Sequence, residues 1–563
     1  MNYKTLACLL ALLWLAEIPA SAQRPNIILI LLDDADKALV PPNAPAFVET
    51  PSIKRVYEEG AMFNNFYGVF PYCNPSRYSL VTGMYPHSHG ATNNLQTPSN
   101  GGLPNMPSIL QQAGYHNMVI GKFTNVEADP IGFDERFCTK IVDYTDPIFF
   151  RNGVKQKVYG NTSRIINDSM VDWISKVDTP FFAWIGHIAP HGPVKFLQED
   201  KGIYDDEEFE APSNAEFFPD DYPSFLYSPG ANWTSDSIKI RKYMIQQYAA
   251  LLEVDRGIAR LFDTLQKRGL LENTAVFLTN DNGAMYGEHY LLGKQKPYEA
   301  TASLPLFIRY PKWFDTTTTT CYDQLIPSID LVPTFIALSG SSSTPYHFQG
   351  IPLAQSIFKN HARSSVYYET IKDGLEGNPN QIGVKESPSW RTVRSIAYKY
   401  TRYRCDSLTE ELFDMQNDSL ELNNLALNAS YQEVLNQMRI LLDSLAIATH
   451  DTLSRDTIYG PCKLIDLVPE VRLSGHKVPF EIIISPQPVQ GSAMVSIISG
   501  KQPGNDEINL ELFSATGMLV KKWRFGPGAT YSLMLDVADL PHGAYFLKAT
   551  YIGDFRTIPF VIQ

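Results

Sequence analysis

Residues 25–34 read PNIILILLDD, an unbroken apolar run that ends in the carboxylates Asp33 and Asp34. Such runs are typical of a strand that is buried on both faces of a parallel sheet. The pattern recurs at residues 274–283, TAVFLTNDNG, where an apolar stretch again leads into acidic and amide side chains. Ligands of open α/β sheets lie beyond the carboxyl ends of the strands. We therefore expect a functional site where these two stretches end.

A third apolar stretch, PFFAWIGH at residues 180–187, is followed by PHGP at residues 190–193. Helical patterns lie between the predicted strands, at residues 106–114, 238–269 and 329–338, and the first two end at glycine. Strands that alternate with helices indicate an α/β layered domain. We assign residues 23–340 to this domain.

The pattern changes after Gly340. Short alternating stretches predict a small antiparallel sheet at residues 366–369, 391–394, 398–400 and 411–414. A final helix is predicted near residues 431–448, so residues 341–448 form a smaller α+β subdomain. Residues 449–477 carry no clear pattern and are interpreted as a linker. Residues 478–563 contain short predicted strands at the spacing of a small β-sandwich.

Length and charge limit the classes of function. A chain of 563 residues is too long for one compact core, so two or three domains are expected. The formal net charge of −13 argues against nucleic acid as a partner, because phosphate binding needs clustered lysine and arginine. A small anionic substrate stays compatible, since it responds to a few local cations.

Residues 1–22 have the pattern of a signal peptide. Lys4 precedes an apolar run at residues 6–16, and the small residues at 20–22 fit signal peptidase cleavage before Gln23. An uncleaved anchor helix is the alternative, but the run is short for a bilayer. No later stretch is long and apolar enough for a transmembrane helix. We expect an exported chain without a transmembrane anchor.

The cysteine count points to one special thiol. Of six cysteines, Cys8 lies in the predicted signal peptide, and the odd remainder in an exported chain suggests that one thiol has a chemical role. Cys73 is the candidate. The other four suffice for two disulfides, whose pairing stays open: Cys138, Cys321, Cys405 and Cys462.

Cys73 begins the pentapeptide CNPSR, and Val81-Thr82-Gly83 follows. This segment resembles the signature of the type I sulfatases, Cys-x-Pro-Ser-Arg followed by Thr-Gly, at every fixed position. The resemblance covers most of residues 26–426 and implies an alkaline-phosphatase-like mixed sheet sandwiched by helices. Its further matches are Asp33-Asp34, Gly121-Lys122, PHGP at 190–193, DNG at 281–283, Gly293-Lys294 ahead of Tyr298-Glu299, DLVPT at 330–334 and ELFD at 411–414.

Each of these residues, taken alone, has an ordinary interpretation. A cysteine of an exported protein is commonly buried or disulfide-bonded, and two aspartates after a strand often form a turn. Taken alone, His191 could be an ordinary histidine of a loop, and Lys122 and Lys294 could be ordinary surface lysines. The joint occurrence of the matches, in the order of the family, favours a shared site.

The chemistry of sulfate esters explains the residue types. These esters are anionic and poor electrophiles, so cleavage needs an activated nucleophile and neutralised charge. The resemblance implies that a formylglycine-generating enzyme oxidises Cys73 to formylglycine, whose aldehyde hydrates. One hydroxyl of the hydrate attacks sulfur, and the other, once deprotonated, expels sulfate. A sulfated serine would lack this second hydroxyl, so its sulfate could be released only by attack of water.

The predicted metal is a hard cation. The candidate ligands Asp33, Asp34, Asp281 and Asn282 offer only oxygen atoms, and the modified Cys73 adds another. Oxygen-only sites suit calcium or magnesium and not zinc, which usually recruits histidine or cysteine. The resemblance favours Ca²⁺, with Mg²⁺ as the alternative.

Four further side chains take roles from their positions in the motifs. Arg77 and Lys122 are expected to hold the nucleophile and the sulfate. Lys294 and His191 are expected to contact the sulfate and the leaving oxygen, one of them as acid, and the identity of the acid stays open. His191 is a candidate proton carrier because the charge of a histidine is easily tuned near neutral pH.

One position departs from the family. Many sulfatases have a histidine two residues after the lysine of Gly-Lys, where this chain has Thr124. A similar pattern occurs in the glucosamine-6-sulfatase-like branch, which also resembles YPHSHG at residues 85–90 and Asn93-Asn94. The departure puts one contact to the nucleophile in doubt. It favours a sulfated amino sugar or a related glycan as substrate.

Four other histidines are candidates without a firm assignment. His87 and His89, in the segment that resembles this branch, are candidates to face the substrate. A structural role in their loop is the alternative. His187 and His289 are comparable candidates.

The C-terminal segment resembles a second family, the sorting domain of type IX secretion. SPQP at residues 485–488, LFSATG at 512–517 and LPHGAYF at 540–546 carry the resemblance. A carbohydrate-binding or spacer β-sandwich is the alternative. Sorting implies that bacterial secretion machinery carries the protein across an outer membrane and that the domain is cleaved. The protein would then be released or attached at the cell surface.

The sequence therefore predicts a secreted sulfatase of a sulfated carbohydrate. A phosphonate or phosphate ester hydrolase of the same fold is the rival enzyme. Its zinc-dependent forms are disfavoured, because they need additional histidine and aspartate ligands. A non-catalytic binder of sulfated glycans, with Cys73 unmodified, is the rival from another class.

Overall fold

Strand β1 (Asn26–Leu32) lies near the centre of a ten-stranded mixed sheet in the computed structural model of the chain. The structure describes residues 24–98, 103–127, 129–140, 142–208, 214, 223, 237–341, 348–359, 362–371, 388–404, 409–451, 480–485, 492–499, 508–514, 519–525, 530–536, 539–540, 543–551 and 554–562. The predicted signal peptide and most of the predicted linker at 449–477 lie outside these residues.

The strands of the larger part of the chain are β2 (Ala61–Phe63), β3 (Phe66–Tyr67), β4 (His116–Lys122), β5 (Glu135–Thr139), β6 (Ile148–Arg151), β7 (Val154–Lys157), β8 (Phe181–Gly186), β9 (Thr274–Asn280), β10 (Met285–Tyr286), β11 (Leu292–Gly293), β12 (Ser303–Leu304), β13 (Leu306–Arg309), β14 (Thr320–Tyr322) and β15 (Ile326–Pro327). The order in the large sheet is β14-β2-β13-β9-β1-β8-β4-β5-β6-β7. The run from β9 to β5 is parallel, so these strands end at one edge.

The helices described are α1 (Pro51–Glu58), α2 (Cys73–Thr82), α3 (Pro86–His89), α4 (Met106–Gln112), α5 (Thr162–Ile174), α6 (Ser237–Lys267), α7 (Glu299–Ala302), α8 (Leu331–Leu338), α9 (Leu353–Phe358) and α10 (Gln432–Ala448). Short 3-10 turns occur at Lys37–Leu39, Gln198–Asp200, Leu271–Asn273, Glu288–Tyr290, Ser328–Asp330 and Ala429–Tyr431. The predicted helix at 329–338 thus begins as a 3-10 turn and continues as α8.

Helices cover both faces of the large sheet, which explains the unbroken apolar strands. Successive side chains of a strand point to opposite faces. In β1, Ile28 and Ile30 pack into one core with residues of α1, α5 and α6. Ile27 and Leu29 pack into a second core with residues of α4 and α8. The sheet is therefore the middle of three layers, as the sequence predicted.

Two glycines let the ends of β4 and β8 come together. Gly121 and Gly186 are register partners in these strands. A Cβ atom at Gly186 would lie 1.9 Å from the Lys122 carbonyl oxygen, and one at Gly121 would lie 2.0 Å from the Gly186 carbonyl oxygen. Gly121 also has φ +85°, which favours glycine. This close approach fixes the backbone from which the Lys122 side chain extends.

A four-stranded antiparallel sheet forms the smaller subdomain. Its strands, in order, are β16 (Ser365–Thr370), β17 (Trp390–Ser395), β18 (Tyr398–Tyr403) and β19 (Thr409–Asp414). Helix α10 packs on this sheet through Leu435, Met438 and Leu442. The Tyr298 hydroxyl donates to Glu411 Oε1 at 2.8 Å, which joins the subdomain to the larger part.

The C-terminal region forms two antiparallel sheets. The strands are β20 (Phe480–Ser485), β21 (Ser492–Ser499), β22 (Ile508–Ser514), β23 (Leu519–Phe525), β24 (Thr530–Asp536), β25 (Gly543–Tyr551) and β26 (Asp554–Ile562). The orders are β20-β21-β24 and β23-β22-β25-β26. Val495 and Leu535 are buried in the first sheet, and Leu510, Leu512 and Leu547 in the second. The two sheets agree with the predicted β-sandwich.

Cys73, Cys138 and Cys321 are free cysteines in the described part of the chain. The predicted disulfides thus find no support at Cys138, which is buried, or at Cys321, which is exposed. Cys405 and Cys462 lie outside the described residues. Among the helices that the structure describes, none combines the length and the apolar character needed to cross a bilayer.

Candidate active site

Polar side chains from three parallel strands meet at the carboxyl edge of the large sheet. Asp33 and Asp34 follow β1, Asp281 and Asn282 follow β9, and Lys122 ends β4. All five are buried. The structure therefore brings together residues that lie up to 249 positions apart in the sequence.

Cys73 is the first residue of helix α2 and is buried at the centre of this group. Its Sγ accepts a hydrogen bond from Lys294 Nζ at 2.9 Å. The same sulfur lies 3.4 Å from Asp33 Oδ1 and 3.6 Å from Asp34 Oδ1. Because the N-terminus of a helix carries partial positive charge, the position also suits an anion.

Three permanent cations neutralise the three carboxylates. Lys122 Nζ donates to Asp33 Oδ2 at 2.6 Å, and Lys294 Nζ lies 2.5 Å from Asp34 Oδ1. The Arg77 Nε group donates to Asp281 Oδ2 at 2.7 Å, and its Nη1 group donates to the Lys122 carbonyl at 2.6 Å. Arg77 Nη2 makes no hydrogen bond among the described residues. An anionic substrate would therefore meet donors that are already fixed in place.

These neighbours keep the carboxylates ionised in spite of burial. Burial alone would raise the pKa of Asp33, but Lys122, His191 and Arg77 outweigh it and lower the pKa to about 2. The pKa of Asp34 is also lowered, because His191 and Lys294 outweigh burial. Both side chains are therefore available as negatively charged ligands at neutral pH.

His191 reaches the site from the loop that follows β8. Its Nε2 atom lies 3.3 Å from Asp34 Oδ2, and its side chain is 24% exposed. The Tyr144 hydroxyl donates to the His191 carbonyl at 2.9 Å and steadies the loop. His191 thus combines contact with a buried carboxylate and access to solvent, as a proton carrier requires.

Two buried carboxylates of the site suit a hard cation. Within the described residues, one candidate metal-binding group contains these two, Asp33 and Asp34, with Cys73 and His191, and it does not include the predicted ligand Asp281. Asn282 Nδ2 donates to Asp34 Oδ1 at 2.9 Å, while its buried Oδ1 has no hydrogen-bond partner among the residues that the structure describes. A buried carbonyl oxygen of this kind is costly unless it is satisfied, and a cation beside Asp34 would satisfy it.

Asp281 has a second role that its motif does not reveal. Its Oδ1 accepts hydrogen bonds from the backbone N–H groups of Asn282, at 2.8 Å, and Asp34, at 3.3 Å. The carboxylate therefore ties the end of β9 to the end of β1 and also holds Arg77. Any metal would share Asp281 with these groups.

Asp34 adopts a left-handed conformation, with φ +62°. Such a backbone costs roughly 1 kcal/mol or more for a residue with a Cβ atom. The Tyr286 hydroxyl donates to the Asp34 carbonyl at 3.0 Å, and Gln247 Nε2 donates in turn to the Tyr286 hydroxyl at 2.7 Å. Tyr286 and Gln247 could not be recognised from the sequence, because neither belongs to a motif.

Asn74 and Thr124 organise the loops around Cys73. Asn74 Nδ2 donates to the carbonyls of Asn93, at 2.9 Å, and Gln96, at 2.7 Å, and Asn74 Oδ1 accepts from the Asn125 N–H. Thr124 is buried, and its hydroxyl accepts from the Glu127 N–H at 3.1 Å. Thr124, which departs from the family pattern, therefore stabilises the loop in which it lies.

His87 and His89 are bound within the protein. His89 is buried, with Nε2 at 3.1 Å from Ser79 Oγ, and burial lowers its pKa to about 3. His87 Nδ1 lies 2.9 Å from Glu369 Oε1, and Nε2 lies 3.0 Å from the Thr449 carbonyl. These contacts support the structural alternative for both residues.

The His87–Glu369 pair predicts a pH-dependent contribution to stability. Burial disfavours the charged ring, but Glu369 outweighs it and raises the pKa of His87 above its ordinary value. The pair therefore stabilises the fold fully below the unfolded pKa and loses this effect as pH rises through the folded pKa. We expect His87→Gln to lower the melting temperature more at about pH 5.5 than at about pH 9.

Thermal unfolding at several pH values tests this expectation. His116→Gln is the matched control, because His116 lies 3.2 Å from Glu135 in an exposed pair. Exposed pairs contribute little, so this control should change the melting temperature only slightly. An equal decrease in melting temperature for His87→Gln at every pH would contradict a positively charged His87 ring in the folded protein.

His187 and His289 are both buried. Burial lowers the pKa of His187 to about 4. The ring of His289 stacks on Tyr298 at 4.4 Å, and burial, with Lys399 nearby, lowers its pKa to about 3. Neutral buried rings of this kind favour packing roles.

Two known protein families together match residues 25–448 of the chain. Residues 25–341 match the family described as Sulfatase, and residues 287–448 match the family described as N-sulphoglucosamine sulphohydrolase, C-terminal. The N-acetylglucosamine-6-O-sulfatase of Bacteroides thetaiotaomicron is 28% identical over 519 residues, which cover 78% of this chain and 90% of that protein.

Two solved structures have a similar fold. One, a complex with its substrate D-glucosamine-2-N,6-O-disulfate, has a TM-score of 0.66 and 25% identity and covers 76% of this chain and 99% of that chain. The phosphonate monoester hydrolase of Agrobacterium radiobacter has a TM-score of 0.63 and 19% identity and covers 76% and 96%. At that identity the likeness concerns the fold alone. The comparisons confirm the predicted alkaline-phosphatase-like fold.

Proposed function

The chain belongs to the sulfatase family of sulfuric ester hydrolases, and from this premise we propose that it desulfates a sulfated amino sugar of a glycosaminoglycan-type glycan. We propose formylglycine, derived from Cys73, as the nucleophile and a calcium ion as the metal. The observation that carries the proposal is the position of Cys73 Sγ, between Lys294 Nζ at 2.9 Å and Asp33 Oδ1 at 3.4 Å.

Each side chain of the group has a proposed task. Lys294 is near the reacting atom and is suited to hold a sulfate oxygen. Lys122 and Arg77 fix Asp33 and Asp281 and add positive charge where negative charge develops. His191, with one face exposed, is suited to give a proton to the leaving alcohol.

The metal would be held by Asp33, Asp34, Asp281 and Asn282, together with the modified Cys73. A divalent ion there would polarise the nucleophile and the sulfate oxygens together. The unpartnered Asn282 Oδ1 and the low pKa of Asp33 support this assignment, because both suit a cation at neutral pH.

Two relatives support an amino sugar as substrate. The bacterial relative acts, by its name, on 6-O-sulfated N-acetylglucosamine, and one structural neighbour binds a disulfated glucosamine. Both likenesses extend over about three quarters of this chain. The non-histidine residue Thr124 agrees with that branch of the family.

The decisive experiment is a substrate screen with purified enzyme from a host that makes formylglycine. We expect sulfate release from 6-O-sulfated N-acetylglucosamine to exceed that from other sulfated monosaccharides, including galactose sulfates. Free sulfate is measured by ion chromatography. Faster cleavage of an aryl phosphonate than of any sulfate would favour the rival hydrolase instead.

We also propose that residues 1–22 direct export and that residues 478–563 are a sorting domain. The two C-terminal sheets support a separate module. N-terminal sequencing and intact mass of the exported protein test this proposal. A mature chain that begins at Gln23 and lacks the sorting domain is the expected result, and a mature chain that keeps it favours a binding or spacer module.

A further inference from the structure

Helix α6 brings an aromatic side chain to the rim of the proposed site. The half-buried ring of Tyr243 lies 5.6 Å from the ring of Tyr286. One helical turn later, Gln247 Nε2 donates to the Tyr286 hydroxyl at 2.7 Å and to the Pro190 carbonyl at 3.3 Å. This face of α6 is therefore fixed against both the Asp34 turn and the loop of His191.

The Tyr243 hydroxyl lies directly on the loop that carries His191. A Cβ atom at Gly192 would lie only 2.2 Å from this hydroxyl oxygen, far closer than non-bonded atoms approach. Gly192 is the variable residue of the PHGP motif, and here it leaves the space that the phenol occupies. The hydroxyl is thus a near neighbour of the proposed proton carrier.

The charges of the site act on the same hydroxyl. Burial and Asp34 raise the pKa of Tyr243, Lys294 lowers it, and the result is about 12. The phenol therefore keeps its proton at neutral pH. A neutral phenol both donates and accepts hydrogen bonds, as recognition of a sugar hydroxyl requires.

We propose that Tyr243 is a specificity-determining residue, whose hydroxyl and ring contact the sugar on the side of the leaving oxygen. This inference rests on the proposed function. Lys294 contacts Cys73 and Lys122 contacts Asp33. With the sulfate held there, as proposed above, the alcohol part of the substrate would extend past His191. Tyr243 borders that path, and a tyrosine supplies an apolar face and a polar tip at low entropic cost.

A purely structural role for Tyr243 makes a different prediction. If its hydroxyl only supported the loop of His191, its loss would lower kcat for the sugar sulfate, whose alcohol needs a proton to leave, and would leave KM unchanged. A contact to the sugar instead raises KM, and only for substrates whose leaving group offers hydroxyls. The division of the loss between KM and kcat on the sugar therefore separates these roles.

The test is Tyr243→Phe, assayed on 6-O-sulfated N-acetylglucosamine and on 4-nitrophenyl sulfate. We expect kcat/KM for the sugar to fall about tenfold, chiefly through KM, since one hydrogen bond to a sugar hydroxyl is lost. The aryl sulfate, which lacks such hydroxyls, should change by less than about twofold. Thermal unfolding should show that the variant is folded.

Tyr159→Phe is the matched control, because Tyr159 is 76% exposed and lies outside the site. It should leave both substrates unchanged. A loss on the sugar that is confined to kcat, equal losses on the two substrates, or no loss on either would overturn the role of Tyr243 while leaving the proposed function intact. Wild-type enzyme that cleaves the aryl sulfate but no sulfated sugar would overturn both.

Discussion

Replacing Cys73 with alanine is expected to lower kcat for sulfate esters by about 10⁴-fold or more, since the nucleophile itself is removed. Ser76, the nearest hydroxyl in the motif, donates to the Asp281 carbonyl at 2.5 Å. The residual rate would come only from the cations and the metal.

Peptide mass spectrometry over residues 72–77 accompanies the kinetic measurement. Active wild-type enzyme should carry an aldehyde in place of the thiol at position 73. Cys321→Ala is the matched control, because Cys321 is also free but is exposed on strand β14. It should retain full activity.

Two results would contradict this mechanism. Full turnover by Cys73→Ala would exclude residue 73 as the nucleophile. An active wild-type enzyme with only a thiol at position 73 would exclude formylglycine. A thiol throughout, in inactive protein from a competent host, would support the non-catalytic binder.

The sequence predicted the edge at which the site lies because parallel strands impose it. Apolar runs that end in Asp33-Asp34 and Asp281-Asn282 are typical of buried parallel strands, and neighbouring parallel strands end at the same edge of the sheet. The order of the motifs also indicated Lys122 and Lys294, which would be taken for surface lysines if each were considered alone. The roles of these residues stay predictions, although the structure brings the side chains together.

The contacts that hold the site residues in place could not be predicted from the sequence. Helix α6 has an amphipathic pattern, which indicates the face that packs in the core but not what Tyr243 contacts at its border. The bond from Tyr286 to Asp34 joins residues 252 positions apart and follows no repeat. Such contacts depend on how the layers pack, and only the folded chain specifies them.

The histidines illustrate the same limit. His87 lies in a segment that resembles a branch of the family, so the sequence left both contact with substrate and a structural role in the loop open. Its partner Glu369 belongs to the smaller subdomain, 282 positions away. A residue that joins two subdomains and a residue that binds substrate look alike in one sequence, because both are polar residues in a loop.

Removing the metal with a chelator is expected to lower activity by at least about 100-fold, and calcium should restore it. The physical reason is charge. Three lysine and arginine cations already balance Asp33, Asp34 and Asp281, so the fold tolerates the loss of the ion. The reaction does not, because the sulfate ester brings further negative charge to a buried site.

Asn282→Ala separates a ligand role from a general effect of chelation. The variant loses the unpartnered Oδ1 and the 2.9 Å bond to Asp34, so we expect calcium to bind about 10- to 100-fold more weakly in calorimetric titrations. Asp168→Asn, which removes an exposed carboxylate paired with Arg260, should leave calcium binding unchanged. Equal affinity in the wild type and Asn282→Ala would place the ion elsewhere. Restoration by zinc and not by calcium or magnesium would contradict an all-oxygen site, because zinc prefers nitrogen and sulfur ligands.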